Sequence, residues 1–326
     1  MEDKHLKPKL SLDQATDLLK HYDDQNFYVL SNNGDKYVLK IMNSGDSKNP
    51  SLIENGIPAQ TAMPTVTGQL MSVEELDCGF GRQKYLVRLL SYLPGVTISK
   101  SPSLHSCCMR RDIILPILQM QHPHIMELER DGFIWSLSNL LVLEKYLYVL
   151  DGEPLQDVVR SVIDLYKTTV VPKYPHLRKC INHGDFNDLN ILVQPDKNDT
   201  YKISGILDFG DMNSGFYIHE LAITIMYIMT EHPNPIEVGG AVLAGWESEL
   251  PLDEAERDCL YALVLSRFCQ SLIFARYSVL LHPENEEYLM ISSRKGVFIL
   301  QDLWKLGKEH VEKVWLQSAA QYCSLK

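Results

Sequence analysis

The chain has 326 residues, of which 45% are hydrophobic and 22% are charged, and its formal net charge is −11. This length allows one large domain or two packed lobes with an ample core. The acidic balance, without a concentrated basic segment, argues against binding to a nucleic-acid backbone. It suits a cationic small substrate, although scattered surface carboxylates are the commoner cause of such a charge.

The seven cysteines show no Cys-x-x-Cys spacing, which indicates a reducing compartment. The charged N-terminal segment lacks the apolar run of a signal peptide. The longest apolar stretch, residues 221–229, is far shorter than the roughly 20 residues that a membrane-spanning helix needs. We therefore expect a cytoplasmic protein without a membrane contact, and the sequence indicates no protein partner.

The first 94 residues alternate short apolar runs with turn signals, which predicts a small antiparallel sheet. Residues 10–20 are predicted to form a helix, because their apolar side chains share one helical face. A hairpin turn is predicted at 31–35. The predicted strands are residues 27–30, 36–42, 64–73 and 84–90.

The pattern after residue 94 is mostly helical, so we place a lobe boundary there and predict an N-lobe of residues 1–94 and a C-lobe of residues 95–326. Pro116 interrupts the first helical segment, residues 107–119, whose amphipathic spacing is poor. The clearer predicted helices are residues 135–150, 156–167, 219–230, 237–248, 253–281 and 293–326.

Two motifs of this C-lobe carry the chemistry. The first is His-Gly-Asp at residues 183–185 with Asn190, and the second is Asp-Phe-Gly at residues 208–210. Each motif lies beside a strand of Val, Ile and Leu. An Asp that accepts a hydroxyl proton, an Asn that reaches a metal and a second Asp that bridges metal and nucleotide are the parts that phosphoryl transfer needs.

Each residue of these motifs has an expected role in phosphoryl transfer. Asp185 is the predicted catalytic base, and Asn190 and Asp208 are the predicted magnesium ligands. Lys40, on a strand of the N-lobe, is the predicted partner of the nucleotide phosphates. Glu54 is predicted to pair with Lys40 and to fix its direction.

Four further residues are candidates for support or substrate binding. His183 is expected to support the loop through hydrogen bonds, and Glu220 to accept hydrogen bonds from the loop's main-chain amides. Asp211 and Arg267 are candidates for binding substrate charges. For Arg267 two readings stay open, an internal ion pair and a clamp for a substrate carboxylate.

These motifs, with three further segments, resemble the aminoglycoside phosphotransferase/choline kinase group. The resemblance implies an α+β, protein-kinase-like fold with two lobes, a small antiparallel sheet and a larger helical part. The segments that carry it are residues 22–27, 181–185, 205–211, 222–227 and 266–271.

The same resemblance implies transfer of the γ-phosphoryl group of GTP to the 5-hydroxyl of 5-hydroxy-L-lysine, with magnesium, in the cytoplasm. It also implies a phosphate-binding loop at residues 22–27 and a purine held by main-chain groups near Tyr92 and Leu93. Choline or an aminoglycoside is an alternative acceptor. A catalytically impaired protein that binds a ligand or partner without turnover is the alternative function.

The chain departs from the family pattern in three places, of which the first two indicate a shortened N-lobe. No first strand is predicted before the phosphate-binding loop, and residues 55–58 end the helix that should follow Glu54. Residues 107–119 replace a regular C-lobe helix. A missing strand would leave a sheet edge unpaired, and a short helix would hold the Lys40–Glu54 pair poorly.

Overall fold

The computed structural model describes residues 16–20, 25–42, 59–77, 82–100, 128–196, 201–283 and 286–324. The chain forms two compact units. One comprises Met1–Pro94 with Gly205–Gly210, and the other comprises Gly95–Ser204 with Asp211–Lys326. The segment Gly205–Gly210, which the sequence-based division leaves in the C-lobe, thus belongs to the first unit.

Among its described residues, the first unit contains an antiparallel sheet of five strands in the order β1-β2-β3-β5-β4. Apolar side chains of the inner strands, such as Val29, Met42, Leu86 and Leu90, are buried. The strands are β1 (Thr16–Lys20), β2 (Gln25–Leu30), β3 (Lys36–Met42), β4 (Ser72–Asp77) and β5 (Arg82–Ser91).

Strand β1 corrects two predictions. Residues 16–20 are extended rather than helical, and they pair with β2 in a register that joins Thr16 to Tyr28 and Lys20 to Gln25. The strand predicted to be missing is therefore present at this edge of the sheet. The helix was predicted from the spacing of four apolar residues, and pairing between strands overrides so weak a local preference. Residues 10–15 lie outside the described part of the chain.

The predicted strand at residues 64–73 is also wrong, because β4 begins only at Ser72. The preceding residues form a turn in which the N–H of Thr65 donates to the carbonyl of Gln69 at 2.7 Å. Gly68 adopts φ +83° in this turn. Valine and threonine made this segment look like a strand, but its proline and glycine favour a turn.

The second unit is mainly helical, so the predicted α+β class with a small antiparallel sheet is confirmed. Its helices are α1 (Leu155–Thr169), α2 (Tyr217–Glu231), α3 (Pro235–Glu247), α4 (Glu254–Leu281), α5 (Glu286–Leu289), α6 (Ile291–Leu306) and α7 (Lys308–Ser324).

Two predicted helices differ in form. Residues 135–150 contain two 3-10 helices, Leu137–Lys145 and Leu147–Leu150, instead of one α-helix. The predicted helix at 293–326 is divided at Gly307, which adopts φ +78° between α6 and α7. Glycine takes this left-handed conformation without steric cost, so it is a common end of a helix.

Short strands of the second unit position its loops. They form one sheet in the order β6-β8-β9 and one pair, β10-β7. In the pair, Asn182 at the end of β7 lies opposite Asn213 at the start of β10. The strands are β6 (Val96–Thr97), β7 (Lys179–Asn182), β8 (Ile191–Pro195), β9 (Tyr201–Ile206) and β10 (Asn213–Phe216).

Helix α4 forms the centre of the core and begins with a capping box, in which Asp253 and Glu256 each accept a hydrogen bond from the other's main-chain N–H. By length and composition alone this helix could cross a membrane, but 83% of its apolar window is buried inside the protein. It has the burial of a core helix, and buried residues of α1, α2 and α3 belong to the same apolar cluster.

Candidate functional site

The loop of residues 183–190 connects two strands. β7 ends at Asn182 and β8 begins at Ile191. Gly184 adopts φ +84°, and a Cβ atom at this position would collide with the main-chain oxygen of Asp211. Glycine permits both the left-handed conformation and this close approach, so the path of the loop depends on it.

Asp185 is partly exposed, and its two carboxylate oxygens have different neighbours. Oδ2 accepts hydrogen bonds from the side-chain amides of Asn187 and Asn190, at 2.8 and 3.0 Å. Oδ1 lies 3.5 Å from Nη2 of Arg267. Two neutral donors therefore hold Oδ2, whereas Oδ1 faces a cation.

Asn187 is a site residue that the sequence analysis missed. Besides contacting Asp185, its Oδ1 accepts hydrogen bonds from the main-chain N–H groups of Leu189 and Asn190, at 2.9 and 3.0 Å. These bonds fold the loop into a tight turn between the two motif residues. An Asn side chain that bonds the main chain two or three residues later is a common turn signal, so this residue could have been found.

His183 and Glu220 lie behind the loop, where the sequence predicts supporting roles. Both are buried. Glu220 Oε2 accepts a hydrogen bond from the N–H of Gly184 at 3.2 Å, and Nδ1 of His183 accepts one from the N–H of Asp185 at 3.3 Å. Burial raises the pKa of Glu220, although the nearby His183 and hydrogen bonds from the loop oppose this rise.

Arg267 lies inside the protein and is only 1% exposed. Its Nη2 donates to the carbonyl of Gly184 at 3.3 Å and to the hydroxyl of Tyr227 at 3.2 Å, besides approaching Asp185. Of the two open readings, the structure favours the internal ion pair. Its guanidinium contacts protein groups in a buried position, and binding of a substrate carboxylate by Arg267 stays a prediction.

Asp211 is half-buried, and its main-chain oxygen accepts a hydrogen bond from the side-chain amide of Asn213 at 2.8 Å. Its carboxylate is one of the charges that raise the pKa of Arg267, so it belongs to the electrostatic surroundings of that guanidinium. Binding of a substrate charge by Asp211 stays a prediction.

Lys40 and Asp208 come together within the first unit. Nζ of the buried Lys40 lies 3.0 Å from Oδ1 of Asp208. Asp208 adopts φ +56°, which is uncommon for a residue other than glycine and is often found at functional sites. Glu54 lies outside the described residues, so its pairing with Lys40 stays a prediction.

The predicted purine-binding residues follow β5. The ring of Tyr92 packs edge-on against Tyr28, with 5.6 Å between ring centroids, and its N–H donates to the carbonyl of Lys36 at 3.3 Å. Leu93 is half-buried. The roles of both residues stay predictions, and residues 22–24 of the predicted phosphate-binding loop lie outside the described residues.

The model of the phosphotransferase enzyme family matches residues 15–259. The chain belongs to this family. Two similar relatives of known name are hydroxylysine kinases. The protein from Danio rerio is 54% identical over 99% of each chain, and the one from Xenopus laevis is 43% identical over 98% of each.

Solved structures show that this phosphotransferase has the kinase-like fold. The microcompartment-associated aminopropanol kinase superposes with a TM-score of 0.65 over 94% of this chain and 95% of its own, at 16% identity. A GDP and kanamycin complex of APH(2″)-IIIa superposes with a TM-score of 0.60 over 91% and 95%, at 13% identity. The predicted protein-kinase-like fold is thus confirmed. With the relatives, these findings also confirm a small-molecule kinase that acts on an alcohol group.

The alignment with the relative from Danio rerio contains gaps in this chain. Their alignment extends over 352 positions, whereas this chain has 326 residues. The relative therefore contains residues without a counterpart here. The strand β1 that the sequence analysis took to be lost is present.

The predicted metal ligands of the phosphotransferase provide oxygen atoms, which magnesium prefers. Nδ2 of Asn190 donates to the main-chain oxygen and to Oδ2 of Asp185, each at 3.0 Å, so Oδ1 of Asn190 is the atom suited to a cation. Asp208 supplies a carboxylate. The described residues contain no cluster of three or more His, Cys, Asp or Glu side chains that could hold a metal. An amide oxygen and a carboxylate are donor types that suit magnesium, which usually keeps water and phosphate oxygens as further ligands.

Proposed function

We propose that this phosphotransferase transfers the γ-phosphoryl group of GTP to the 5-hydroxyl of 5-hydroxy-L-lysine, with magnesium as the metal. The observation that carries the proposal is the set of relatives. Hydroxylysine kinases from four animals are 41–54% identical to the chain and align with 93–99% of it. Similarity of this extent along the chain supports a shared acceptor, because the acceptor is recognised by side chains of the fold and not by the fold itself.

The proposed reaction assigns Asp185 as the general base. The 5-hydroxyl oxygen forms a bond to the γ-phosphorus, the bond from that phosphorus to the β-phosphate oxygen breaks, and GDP leaves. The hydroxyl proton passes to Oδ1 of Asp185, since Oδ2 already accepts two amide hydrogen bonds. The base orients the hydroxyl and accepts the proton late, because the transition state of phosphoryl transfer is loose.

Lys40, Asp208 and Asn190 are assigned to the donor side. Lys40 is the proposed phosphate-binding cation, held by Asp208 in the first unit. Asn190 and Asp208 would hold the magnesium ion, which neutralises charge on the phosphate oxygens when it is bound. A nucleotide donor and a divalent metal are supported by fold neighbours that bind GDP, or AMP-PNP with Ca²⁺, and GTP is the donor that the family resemblance implies. A cytoplasmic location stays a prediction.

Activity assays with two phosphate donors and three acceptors test the proposal. Phosphate transfer would be measured from GTP and from ATP to 5-hydroxy-L-lysine, choline and kanamycin, with magnesium or with EDTA. We expect the highest kcat/KM for GTP with 5-hydroxy-L-lysine, and no turnover in EDTA. Asp185→Asn should abolish transfer, whereas the matched substitution Asp164→Asn on the exposed surface of α1 should not.

Each other outcome overturns a stated part of the proposal. A preference for ATP would overturn the donor, and a preference for choline or kanamycin would overturn the acceptor. Full activity of Asp185→Asn would overturn the assigned base. No transfer by a folded protein to any acceptor would favour a catalytically impaired protein that only binds its ligand.

A further inference from the structure

A rigid buried cation lies under the proposed base. Nη1 of Arg267 donates to the carbonyl of Trp135 at 3.0 Å and to Oε1 of Gln270 at 3.1 Å. Gln270 is itself fixed, because its Nε2 donates to the carbonyls of Ile134 and Ser136, at 2.8 and 3.2 Å. The guanidinium carbon also lies 5.1 Å from the centre of the Trp135 ring. These contacts lock the guanidinium plane independently of Asp185.

Tyr227 joins this cation to the carboxylate. Its hydroxyl oxygen accepts a hydrogen bond from Nη2 of Arg267 at 3.2 Å. Burial raises the pKa of Tyr227; Arg267 opposes the rise and the carboxylate of Asp185 adds to it. The phenol therefore stays neutral and keeps a hydrogen that can be directed at Asp185.

The contacts of Arg267 are not those of an ion pair that serves stability. Its approach to Asp185 is single and long, at 3.5 Å, and its Nε has no hydrogen-bond partner among the described residues. A buried cation with an unpaired donor is costly, and apolar side chains usually fill such a space with equal or better stability. A loss of folding stability at a position directly beneath the proposed base indicates that Arg267 contributes to phosphoryl transfer.

We propose that Arg267 and Tyr227 are positioning residues that hold the carboxylate of Asp185 in the orientation in which it accepts the substrate proton. The inference rests on the proposed role of Asp185 as the base. Arg267 faces Oδ1, the oxygen assigned to accept this proton, and Tyr227 forms a side-chain hydrogen bond with the same carboxylate. Both residues therefore act on the group that reacts.

Other ionisable groups of the second unit also face this carboxylate or the loop that carries it. His183 contacts the main chain of Asp185 on the same loop, and Glu220 of α2 contacts the preceding residue. Asp211 adds a negative charge near Arg267. Burial alone would lower the pKa of Arg267, but Tyr227 and the carboxylates of Asp185 and Asp211 raise it above its ordinary value. Arg267 therefore stays charged across the working pH range.

The test compares kcat and KM of the wild-type protein with those of Arg267→Met, Arg267→Lys and Tyr227→Phe. A displaced base slows the chemical step without weakening acceptor binding, so Arg267→Met should lower kcat by about 10²-fold and leave the KM for 5-hydroxy-L-lysine unchanged. Tyr227→Phe should lower kcat by less, again with an unchanged KM. Arg267→Lys keeps the charge and should restore part of kcat but not all of it, because an ammonium lacks the planar fork that fixes the geometry.

The chain offers matched controls in Arg178→Lys and Tyr217→Phe. Arg178 contacts a buried carboxylate, that of Glu256, and Tyr217 lies on the same helix as Tyr227, with its hydroxyl bonded to the carbonyl of Leu250 at 2.7 Å. Both controls should lose stability and keep the wild-type kcat and KM. If Arg267→Met does not fold, the two conservative variants decide the test.

The carboxyl ¹³C resonance of Asp185, assigned by its loss in Asp185→Asn, reports the surroundings of this carboxylate without turnover and should shift in the Arg267 and Tyr227 variants. The inference is overturned if Tyr227→Phe and Arg267→Lys keep the wild-type kcat, KM and resonance. Failure of the proposed function has a different result, since the wild-type protein would then transfer no phosphate to 5-hydroxy-L-lysine, or Asp185→Asn would retain transfer activity. With an inactive Asp185→Asn and unchanged Arg267 and Tyr227 variants, only the present inference fails.

Discussion

Two clusters in the second unit are built from the same three side-chain types, an arginine, a tyrosine and a carboxylate. In the cluster of Arg178, Tyr217 and Glu256, the arginine binds the carboxylate through two short bonds of 2.7 and 2.5 Å, and the guanidinium carbon lies 4.6 Å from the tyrosine ring centre. The carboxylate is fully buried, and the arginine side chain is 37% exposed.

The cluster of Arg267, Tyr227 and Asp185 reverses this arrangement. Here the arginine side chain is 1% exposed and the carboxylate 26% exposed, and their single contact is 3.5 Å long. A carboxylate that only supports the fold can be saturated with hydrogen bonds, and Glu256 is also part of the capping box of α4. A carboxylate that must accept a proton needs an accessible oxygen, and the long contact of Asp185 leaves one.

The largest expected effects come from removing the charge of each carboxylate. Asp185→Asn should lower kcat by about 10²–10⁴-fold, the usual contribution of a general base, and Glu256→Gln should leave kcat unchanged. Glu256→Gln should instead lower the free energy of unfolding by about 1.5–3 kcal/mol, because it breaks charge-assisted hydrogen bonds. Steady-state kinetics and urea denaturation of both variants check this. Equal losses of kcat would show that the two clusters do not differ in function.

A smaller effect is expected from a methyl group added next to the reactive cluster. In Gly184→Ala the new Cβ collides with the main chain of Asp211, so the loop must shift and kcat should fall on the order of 10²-fold. Gly152→Ala is the matched control, since Gly152 has φ +83° and nothing within 4 Å of the added atom. It should lose about 1–2 kcal/mol of stability from backbone strain alone and no activity. Similar kcat values for the two variants would contradict the account of the loop.

The smallest effect on kcat is expected for His219, on the helix that carries both tyrosines, because this residue influences acid stability instead. Burial lowers the pKa of His219 from 6.5 to about 3, and its ring packs against Phe216 and Tyr174. Below pH 6.5 the imidazole of His219 therefore binds a proton in the unfolded chain but stays neutral in the folded protein down to about pH 3. The stability from His219 is complete above pH 6.5 and is lost as the pH falls toward 3, by up to about 1.4 kcal/mol per pH unit.

His219→Phe should flatten this part of the stability profile. Glu220 has a raised pKa, which acts in the opposite direction, but it is present in both proteins and cancels in the difference. His310→Gln, on an exposed part of α7, is the matched control and should keep the wild-type slope. Urea denaturation between pH 4 and 8 measures how the free energy of unfolding changes with pH. An unchanged slope in His219→Phe would mean that the buried ring is protonated in the folded protein.

The sequence allowed prediction of those site residues that adjoin one another in a motif. The roles of His183, Asp185, Asn190 and Asp208 depend on the order of residues around two short strands, and a loop or strand end preserves that order. Arg267 could not be decided in this way. It is 82 residues away from Asp185, and a helical pattern shows only that it lies on an apolar face. Which group it meets there depends on helix packing.

The errors in the predicted secondary structure have related causes. β1 has a spacing of apolar residues that also fits a helix, and its pairing with β2 decides the outcome. Residues 135–150 were correctly placed in helical structure, but their backbone is mostly 3-10 helix. There Tyr166 donates to the carbonyl of Leu137 at 2.7 Å, and Gln270 donates to the carbonyl of Ser136. Partners from other elements bind main-chain groups of this segment, and a local pattern does not contain them.

The most direct test of the account is a single-turnover measurement with excess enzyme, limiting GTP and saturating 5-hydroxy-L-lysine. Rapid quenching would compare the wild-type protein with Asp185→Asn, after nucleotide binding to both has been shown to be equal. The phosphoryl-transfer step itself should be slowed by about 10²-fold or more in the variant. Transfer at the wild-type rate in Asp185→Asn would contradict it, because the proton would then have another acceptor than the carboxylate beside Arg267.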